Sequence, residues 1–188
     1  MPLFETKWVV SGAAFVTLLI RRDIATAACI FGAISNALLA KVLKRVFNAA
    51  RPRGAELADP GMPSSHAQSL FYFSAYLSLA ASDMEQPTVL LPALGAFGAA
   101  AALAQLRVRA GLHTQAQVVV GATFGACFGF GWRQVAQPTV VEWVQLHAGG
   151  SNPVALAFCL LCAGAAVVGS VERVLASYYK SRLRGSRD

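Results

Sequence analysis

Long apolar stretches, separated by short polar connections, make up most of the chain. A run of about twenty apolar residues spans the hydrocarbon core of a bilayer, and a helix satisfies its own backbone hydrogen bonds there. We therefore predict an all-α, polytopic membrane helix bundle of about six transmembrane helices, forming a single domain over residues 1–188. The predicted helices cover Trp8–Ile20, Ile24–Phe47, Ala67–Ser82, Thr88–Leu106, Gln115–Gly131 and Pro153–Val171, and the short first one is expected to extend back toward Leu3 to span a bilayer.

The polar connections decide which residues share a face of the membrane. Proline and glycine mark Asn48–Pro63 as a loop. Arg107–Thr114 is a second, shorter loop, and Pro138–Asn152 is interpreted as a connector with an interfacial turn around Trp143. Because the two loops are separated by an even number of crossings, they face the same side. Their lysines, arginines and histidines are therefore expected to gather at one membrane face.

Glycine recurs at every fourth position in the fifth apolar stretch, at Gly121, Gly125 and Gly129. This spacing places the three glycines on one face of a helix and lets a neighbouring helix approach closely. No strand precedes them, so the pattern predicts tight helix packing and not a nucleotide-binding loop.

Composition narrows the class of ligand. The chain is 56% hydrophobic and 13% charged, whereas soluble domains have about 25% charged residues. Its net charge of +7 suits anionic lipid headgroups or a phosphorylated substrate. Nucleic acid is disfavoured because the basic residues lie at the ends of apolar runs. All four cysteines lie inside apolar runs, which argues against a disulfide framework, and the Cys159-x-x-Cys162 pair has no second pair beside it.

The first candidate motif is K-x6-R-P, from Lys44 to Pro52. Lys44 and Arg51 are seven residues apart, which is two helical turns, so they are predicted to project from one face where the second helix ends. Two such cations can clamp a phosphate, with arginine donating in a bidentate fork. The alternative is that both are ordinary helix-end cations that stabilise the helix dipole.

The second candidate motif is Pro63-Ser64-Ser65-His66. Ser65 and Gln68 have the spacing of a capping box, which predicts a helix that begins at His66. A helix N-terminus with serine hydroxyls binds anions readily, and His66 at its mouth can deliver a proton to a leaving oxygen. The alternative is a well-capped helix with a surface histidine.

The third candidate motif is R-x5-H-x3-Q, formed by Arg107, His113 and Gln117. Gly111 allows a tight turn between the helices. Gln117 lies one helical turn after His113 and can accept a hydrogen bond from one ring nitrogen, leaving the other nitrogen as a nucleophile. The alternative is that Thr114 caps the helix and Gln117 closes a capping box; one amide oxygen cannot serve both partners well.

In this order, the three motifs resemble the type 2 phosphatidate phosphatase superfamily, whose signature is K-x6-R-P, P-S-G-H and S-R-x5-H-x3-D. The resemblance covers roughly Phe15–Gly129. It implies that His113 is the nucleophile that forms phosphohistidine, that His66 is the general acid, and that no metal or other cofactor is needed. The residues assigned to phosphate binding are Lys44, Arg51, Ser64, Ser65 and Arg107.

Three departures from that signature indicate a subfamily. Ser65 replaces glycine, Leu106 replaces serine, and Gln117 replaces the aspartate that orients the nucleophile. The resulting motifs resemble the dolichyl diphosphate phosphatase branch, with the related plastid lipid phosphate phosphatases as the nearest alternative.

The resemblance implies hydrolysis of a polyprenyl diphosphate to the monophosphate and inorganic phosphate in the endoplasmic reticulum membrane, with the plastid envelope as the alternative location. Phosphatidate or another lipid monophosphate is the alternative substrate. A non-enzymatic membrane protein that binds phospholipid without turnover is the alternative function. No protein partner is implied.

Overall fold

The computed structural model describes residues 16–55, 59–82 and 90–147, together with isolated helical positions between residues 155 and 177. The described residues form helices and contain no strand, in agreement with the predicted all-α class. The helices described over their full length are α1 (Ile24–Phe47), α2 (Ser65–Ser82), α3 (Leu90–Arg109), α4 (Gln115–Gly131) and α5 (Gln137–His147). A π-helical turn over Trp132–Ala136 joins α4 to α5.

The predicted limits of α1 and α4 are confirmed. The carboxylate of Asp23 caps α1 by accepting from the Thr26 amide at 2.6 Å. At the other end, Asn48 adopts a left-handed conformation with φ 42° and donates its N–H to the Lys44 carbonyl, which ends the helix. Helix α3 continues to Arg109, beyond the predicted limit of Leu106, so Arg107 lies in its last turn.

Helix α2 lies at the centre of the bundle and packs against α4, α3 and α1. The predicted close packing of the glycine face of α4 is confirmed. A Cβ added at Gly125 would lie 2.0 Å from the Gln68 carbonyl oxygen, and one added at Gly121 would lie 2.5 Å from that of Ser64. The backbones of α4 and α2 are therefore in direct contact.

Gln68 differs from its predicted role as a capping residue. Its side chain is fully buried and joins α2 to α1 by donating to the Asn36 side-chain oxygen at 3.0 Å and to the Asn36 carbonyl at 3.2 Å. Helix α2 begins at Ser65, not at His66. Ser64 precedes it and accepts from the Gln68 amide through its carbonyl at 2.9 Å. Asn36 thus satisfies the buried side-chain nitrogen of Gln68, whereas the Gln68 side-chain oxygen has no hydrogen-bond partner among the described residues.

The interpretation of Pro138–Asn152 as a connector is wrong over residues 138–147, because α5 occupies Gln137–His147. Residues 148–152 lie outside the described residues. Pro138 is the second residue of α5 and follows the π-helical turn, whose hydrogen-bond pattern the Gln137 N–H continues by donating to the Trp132 carbonyl. Val144 on α5 is buried against a cluster that contains Leu18 and Ala27. Trp143, where an interfacial turn was predicted, lies within this helix.

Two of the described helices are long and apolar enough to cross a membrane, Ile24–Phe47 and Leu91–Arg109. Large apolar side chains are exposed on both, including Val46 and Leu91, as expected for surfaces that face lipid. Most of the first predicted span and most side chains of the sixth lie outside the described residues. The count of about six crossings therefore stays a prediction.

We expect Gly125→Ala to lower the free energy of unfolding by about 1–3 kcal/mol, the usual cost of overpacking, because its methyl group would meet the α2 backbone. Gly98→Ala on α3 is the matched control, since an added Cβ there meets no atom within 4 Å. Thermal unfolding of both variants in detergent, followed by intrinsic fluorescence, measures the difference. Equal midpoints for the two variants would contradict the packing described above.

Candidate active site

Loop contacts bring the three predicted motifs together at one end of the bundle. The Ser64 amide donates to the Gln117 carbonyl at 3.0 Å, which joins the second motif to the third. The Gln117 side chain donates to the Ala50 carbonyl at 2.7 Å, which joins the third motif to the first. The Gly61 amide donates to the Ala49 carbonyl at 2.8 Å. The three motifs are therefore joined in one hydrogen-bonded network.

Lys44 and Arg51 meet, but not by the predicted helical spacing. Helix α1 ends at Phe47, so Arg51 lies in the loop that folds back over the helix end. Both side chains are shielded from solvent, with exposed fractions of 10% for Lys44 and 7% for Arg51. The Lys44 ammonium also donates to the Pro60 carbonyl at 3.0 Å.

Asp59 is the residue that joins these two cations, and the sequence-based prediction did not include it. One carboxylate oxygen accepts from the Lys44 ammonium, and the other accepts from the Arg51 guanidinium at 2.8 Å. Burial alone would raise the pKa of Asp59, but hydrogen bonds and positive charge from Lys44 and Arg51 outweigh it and hold that pKa below its ordinary value. The sequence did offer one signal for this role, because Asp59 is an acidic residue in the same loop as Arg51, a predicted phosphate ligand.

His113 is held at both ring nitrogens, and its side chain is buried. Nδ1 lies 3.0 Å from the Gly61 carbonyl oxygen and 3.3 Å from the Gln117 side-chain oxygen. Nε2 lies 3.1 Å from the Arg51 guanidinium. Because the oxygens can only accept and the guanidinium can only donate, these partners assign the proton to Nδ1 and the lone pair to Nε2. This is the tautomer that a nucleophilic Nε2 requires.

Gln117 fills both of the roles that the sequence left open. Its side-chain oxygen accepts from the Thr114 backbone N–H at 3.1 Å. The Thr114 hydroxyl in turn accepts from the Gln117 backbone N–H at 3.3 Å, which completes a capping box. The same oxygen also faces His113, but the Gly61 carbonyl makes the closer contact with the ring. Gly61 must stay small, because an added Cβ would lie 2.5 Å from the Gln117 side-chain nitrogen.

The second motif places two serines and His66 at the start of α2. Ser64 is fully buried, and its hydroxyl lies 3.5 Å from the Ala67 amide at the first turn. Ser65 is the first residue of the helix and is half-buried. His66 follows in the same turn and is also half-buried.

Burial and nearby cations lower the pKa values of both His66 and His113. Burial, and then the positive charges of Arg107, Lys44 and Arg51, lower the pKa of His66 to about 4. Burial and the charge of Arg51 lower the pKa of His113 to about 4 as well, although its hydrogen bond with Gln117 acts in the opposite direction. Both imidazoles are therefore neutral near neutral pH.

Arg107 completes the group of predicted phosphate ligands. It lies in the last turn of α3, and its carbonyl accepts from the Leu112 amide at 3.1 Å across the turn that Gly111 makes with φ 69°. Its Nε is buried and has no hydrogen-bond partner among the described residues. A buried donor of this kind calls for an acceptor, and a phosphate oxygen is a strong one.

We expect the free energy of unfolding to fall as the pH is lowered from about 6.5 to about 4. The unfolded histidines take up protons at their ordinary pKa of 6.5, whereas the folded ones do so only near 4, so protonation in this window favours the unfolded chain. Thermal unfolding across this pH range measures the slope. His66→Asn should make the fall shallower, and His147→Asn, at an exposed histidine of α5, should leave it unchanged.

Comparison with known proteins agrees with the predicted family. The PAP2 superfamily matches over residues 24–140. The chain is 34% identical over 177 residues to lipid phosphate phosphatase epsilon 2, chloroplastic, of Arabidopsis thaliana, covering 93% of this chain and 60% of that protein. It is 40% identical over 134 residues to the epsilon 1 protein of the same plant, covering 68% of this chain and 46% of that protein.

A third relative is dolichyldiphosphatase 1 of Dictyostelium discoideum, 31% identical over 128 residues, covering 64% of this chain and 56% of that protein. No solved structure matches the chain. The chain thus spans about half of the length of these curated relatives. Because the family match covers more than half of this chain and includes all three motifs, the chain belongs to the PAP2 superfamily.

Proposed function

We propose that this chain is a membrane lipid phosphatase that hydrolyses a polyprenyl diphosphate to the monophosphate and inorganic phosphate through phosphohistidine at His113. The observation that carries the proposal is the fixed imidazole, with Nδ1 on the Gly61 carbonyl and Nε2 directed at the Arg51 guanidinium. A nucleophile of this kind needs its lone pair beside a cation that binds the substrate anion. Similarity to lipid phosphate phosphatases and to a dolichyldiphosphatase supports the same class.

In the first step, Lys44, Arg51 and Arg107 bind the oxygens of the terminal phosphate. The Arg51 N–H that donates to His113 Nε2 now donates to a phosphate oxygen instead. This change of acceptor frees the Nε2 lone pair and brings phosphorus next to it. The P–N bond then forms from Nε2 while the P–O bond to the lipid monophosphate breaks. His66 donates a proton to the departing oxygen.

His66 must gain that proton before it can act as an acid. Its pKa is lowered to about 4 by burial and by the charges of Arg107, Lys44 and Arg51. A bound phosphate dianion offsets these positive charges, so the pKa of His66 rises when substrate binds. In the second step, water attacks phosphorus, His66 takes the proton from this water, and the P–N bond breaks to release inorganic phosphate.

The diphosphate is the substrate that best suits a neutral Gln117. An aspartate at this position would stabilise a cationic imidazole, whereas the amide only orients it. A lipid monophosphate leaves more readily than the alkoxide of a monoester, so its departure needs less help from both histidines. This argument favours a phosphoanhydride over phosphatidate. The similarity to the lipid phosphate phosphatases favours a lipid monophosphate as the second candidate.

We expect detergent-purified protein to release phosphate from a polyprenyl diphosphate in the presence of EDTA, and His113→Ala to abolish this release. His66→Ala should lower kcat by about 10²–10⁴-fold, the usual contribution of general acid–base catalysis. His147→Ala is the control, because His147 lies on α5 and stacks on Trp143 away from the network. Phosphatidate is assayed beside the diphosphate.

The outcomes separate the alternatives. Faster release from phosphatidate would keep the mechanism and change the substrate. Turnover by His113→Ala near the wild-type rate would contradict the phosphohistidine mechanism. Absence of release from both lipids by the wild-type protein would favour a non-enzymatic lipid-binding protein. The membrane that contains the chain is proposed to be the endoplasmic reticulum, and the chloroplastic relatives favour the plastid envelope as the alternative.

Gln117→Glu should move the acidic limb of the kcat/KM pH profile to higher pH by about one unit or more, because a carboxylate beside an imidazole raises its pKa. The new side chain still accepts from Thr114 but can no longer donate to Ala50, so kcat should also fall. Gln115→Glu adds the same charge to an exposed position of the same helical turn and should leave the limb in place. An unshifted limb in Gln117→Glu would contradict the contact with His113.

A further inference from the structure

The carboxylate of Asp59 occupies the donors that the proposed function assigns to phosphate. It accepts from the Lys44 ammonium and, at 2.8 Å, from the Arg51 guanidinium. Asp59 also accepts from Arg51 Nε through its backbone carbonyl at 2.9 Å. An anionic group from the chain itself therefore lies between the two cations, as the oxygens of a bound phosphate would.

Arg51 is engaged along its whole guanidinium group. Nε and one terminal nitrogen donate to Asp59, and the other terminal nitrogen contacts the Leu112 carbonyl at 2.9 Å and His113 Nε2 at 3.1 Å. A phosphate can bind Arg51 in a bidentate fork only if some of these partners leave. The Leu112 and Asp59 carbonyls belong to the backbone, and the buried His113 ring is held at Nδ1. The Asp59 carboxylate is therefore the partner that side-chain rotation removes most easily.

Solvent exposure shows which member of the cluster can move. The Asp59 side chain is 40% exposed, against 10% for Lys44 and 7% for Arg51. The carboxylate can therefore turn into water and be solvated there, whereas the two cations are enclosed. A phosphate group carries a charge of about −1.5 to −2 near neutral pH and three acceptor oxygens, so it satisfies the cations better than a single carboxylate does.

We propose that Asp59 is an intramolecular competitor of the phosphate headgroup, which holds Lys44 and Arg51 until the headgroup displaces it. The proposal rests on the proposed function in one respect, the assignment of Lys44 and Arg51 as phosphate ligands. Any phosphate ligand then binds with an affinity reduced by the fraction of molecules in which Asp59 is in place. If Asp59 instead stayed as a brace for the cations, its removal would weaken binding, so the two roles predict changes of opposite sign.

The test is the dissociation constant of inorganic phosphate for the full detergent-purified chain, measured by titration calorimetry. We expect Asp59→Asn, which keeps the shape of the side chain and removes its charge, to bind phosphate about fivefold more tightly, the scale on which a partly exposed ion pair competes. Asp23→Asn is the matched control. It removes the same charge at the far end of α1, from a carboxylate that pairs with Arg21 at 3.0 Å, and asparagine still caps a helix.

A second measurement separates displacement from long-range repulsion. At about 1 M potassium chloride the screening length is about 3 Å, so an advantage of Asp59→Asn that came only from distant charge would vanish. Displacement of a carboxylate in direct contact predicts that the affinity ratio of variant to wild type persists.

Each result bears on a stated claim. Unchanged or weaker phosphate binding by Asp59→Asn would overturn the proposal that Asp59 competes with phosphate. An affinity ratio of variant to wild type that disappears at high salt would overturn it as well. If Asp59→Asn binds phosphate more tightly but the wild-type protein hydrolyses no lipid, Asp59 remains a competitor of phosphate and the proposed function is overturned. Absence of phosphate binding by wild type and variant overturns the phosphate site and both proposals with it.

Discussion

Direct backbone contact between α4 and α2 is the constraint on which the arrangement of the candidate site depends. The contact exists because Gly121, Gly125 and Gly129 carry no side chain on the face of α4 that meets α2. It brings the first turns of the two helices close enough for the Ser64 amide to reach the Gln117 carbonyl. His113 and His66, which belong to different motifs, are thereby held at the same end of the bundle.

The site concentrates positive charge in a poorly solvated region and compensates for it with short-range partners. Lys44 and Arg51 are almost enclosed, and isolated buried cations are costly. Asp59 and the backbone carbonyls of Pro60 and Leu112 satisfy their donors. The two histidines are neutral near neutral pH and add no further charge to the site.

Local signals in the sequence were sufficient for the helices whose ends are capped by nearby residues. Asp23 and Thr114 sit directly before α1 and α4, and the limits of both helices were predicted correctly. Contacts between distant segments could not be predicted in this way. Gln68 turned inward because Asn36 lies opposite it, and Asp59 reached the cations only after the loop folded back. Pro138–Asn152 was interpreted as a connector, and the sequence alone did not reveal that a helix occupies residues 138–147.

The role assignments of the site residues stay predictions, whereas the convergence of the three motifs is a feature of the fold. Spacing within each motif indicated residue types and order. It could not reveal that a backbone carbonyl, that of Gly61, makes the closest contact with the Nδ1 of His113, because a carbonyl is present at every residue and leaves no mark in the sequence.

The shared oxygen of Gln117 links the alignment of His113 to the integrity of one helical turn. The same atom accepts from the Thr114 amide and faces the imidazole, so fraying of the first turn of α4 withdraws a support from the ring at the same moment. Helix ends open at lower free energy than helix interiors do. Opening of this turn would therefore release the imidazole from Gln117 and leave the Gly61 carbonyl as the partner of Nδ1.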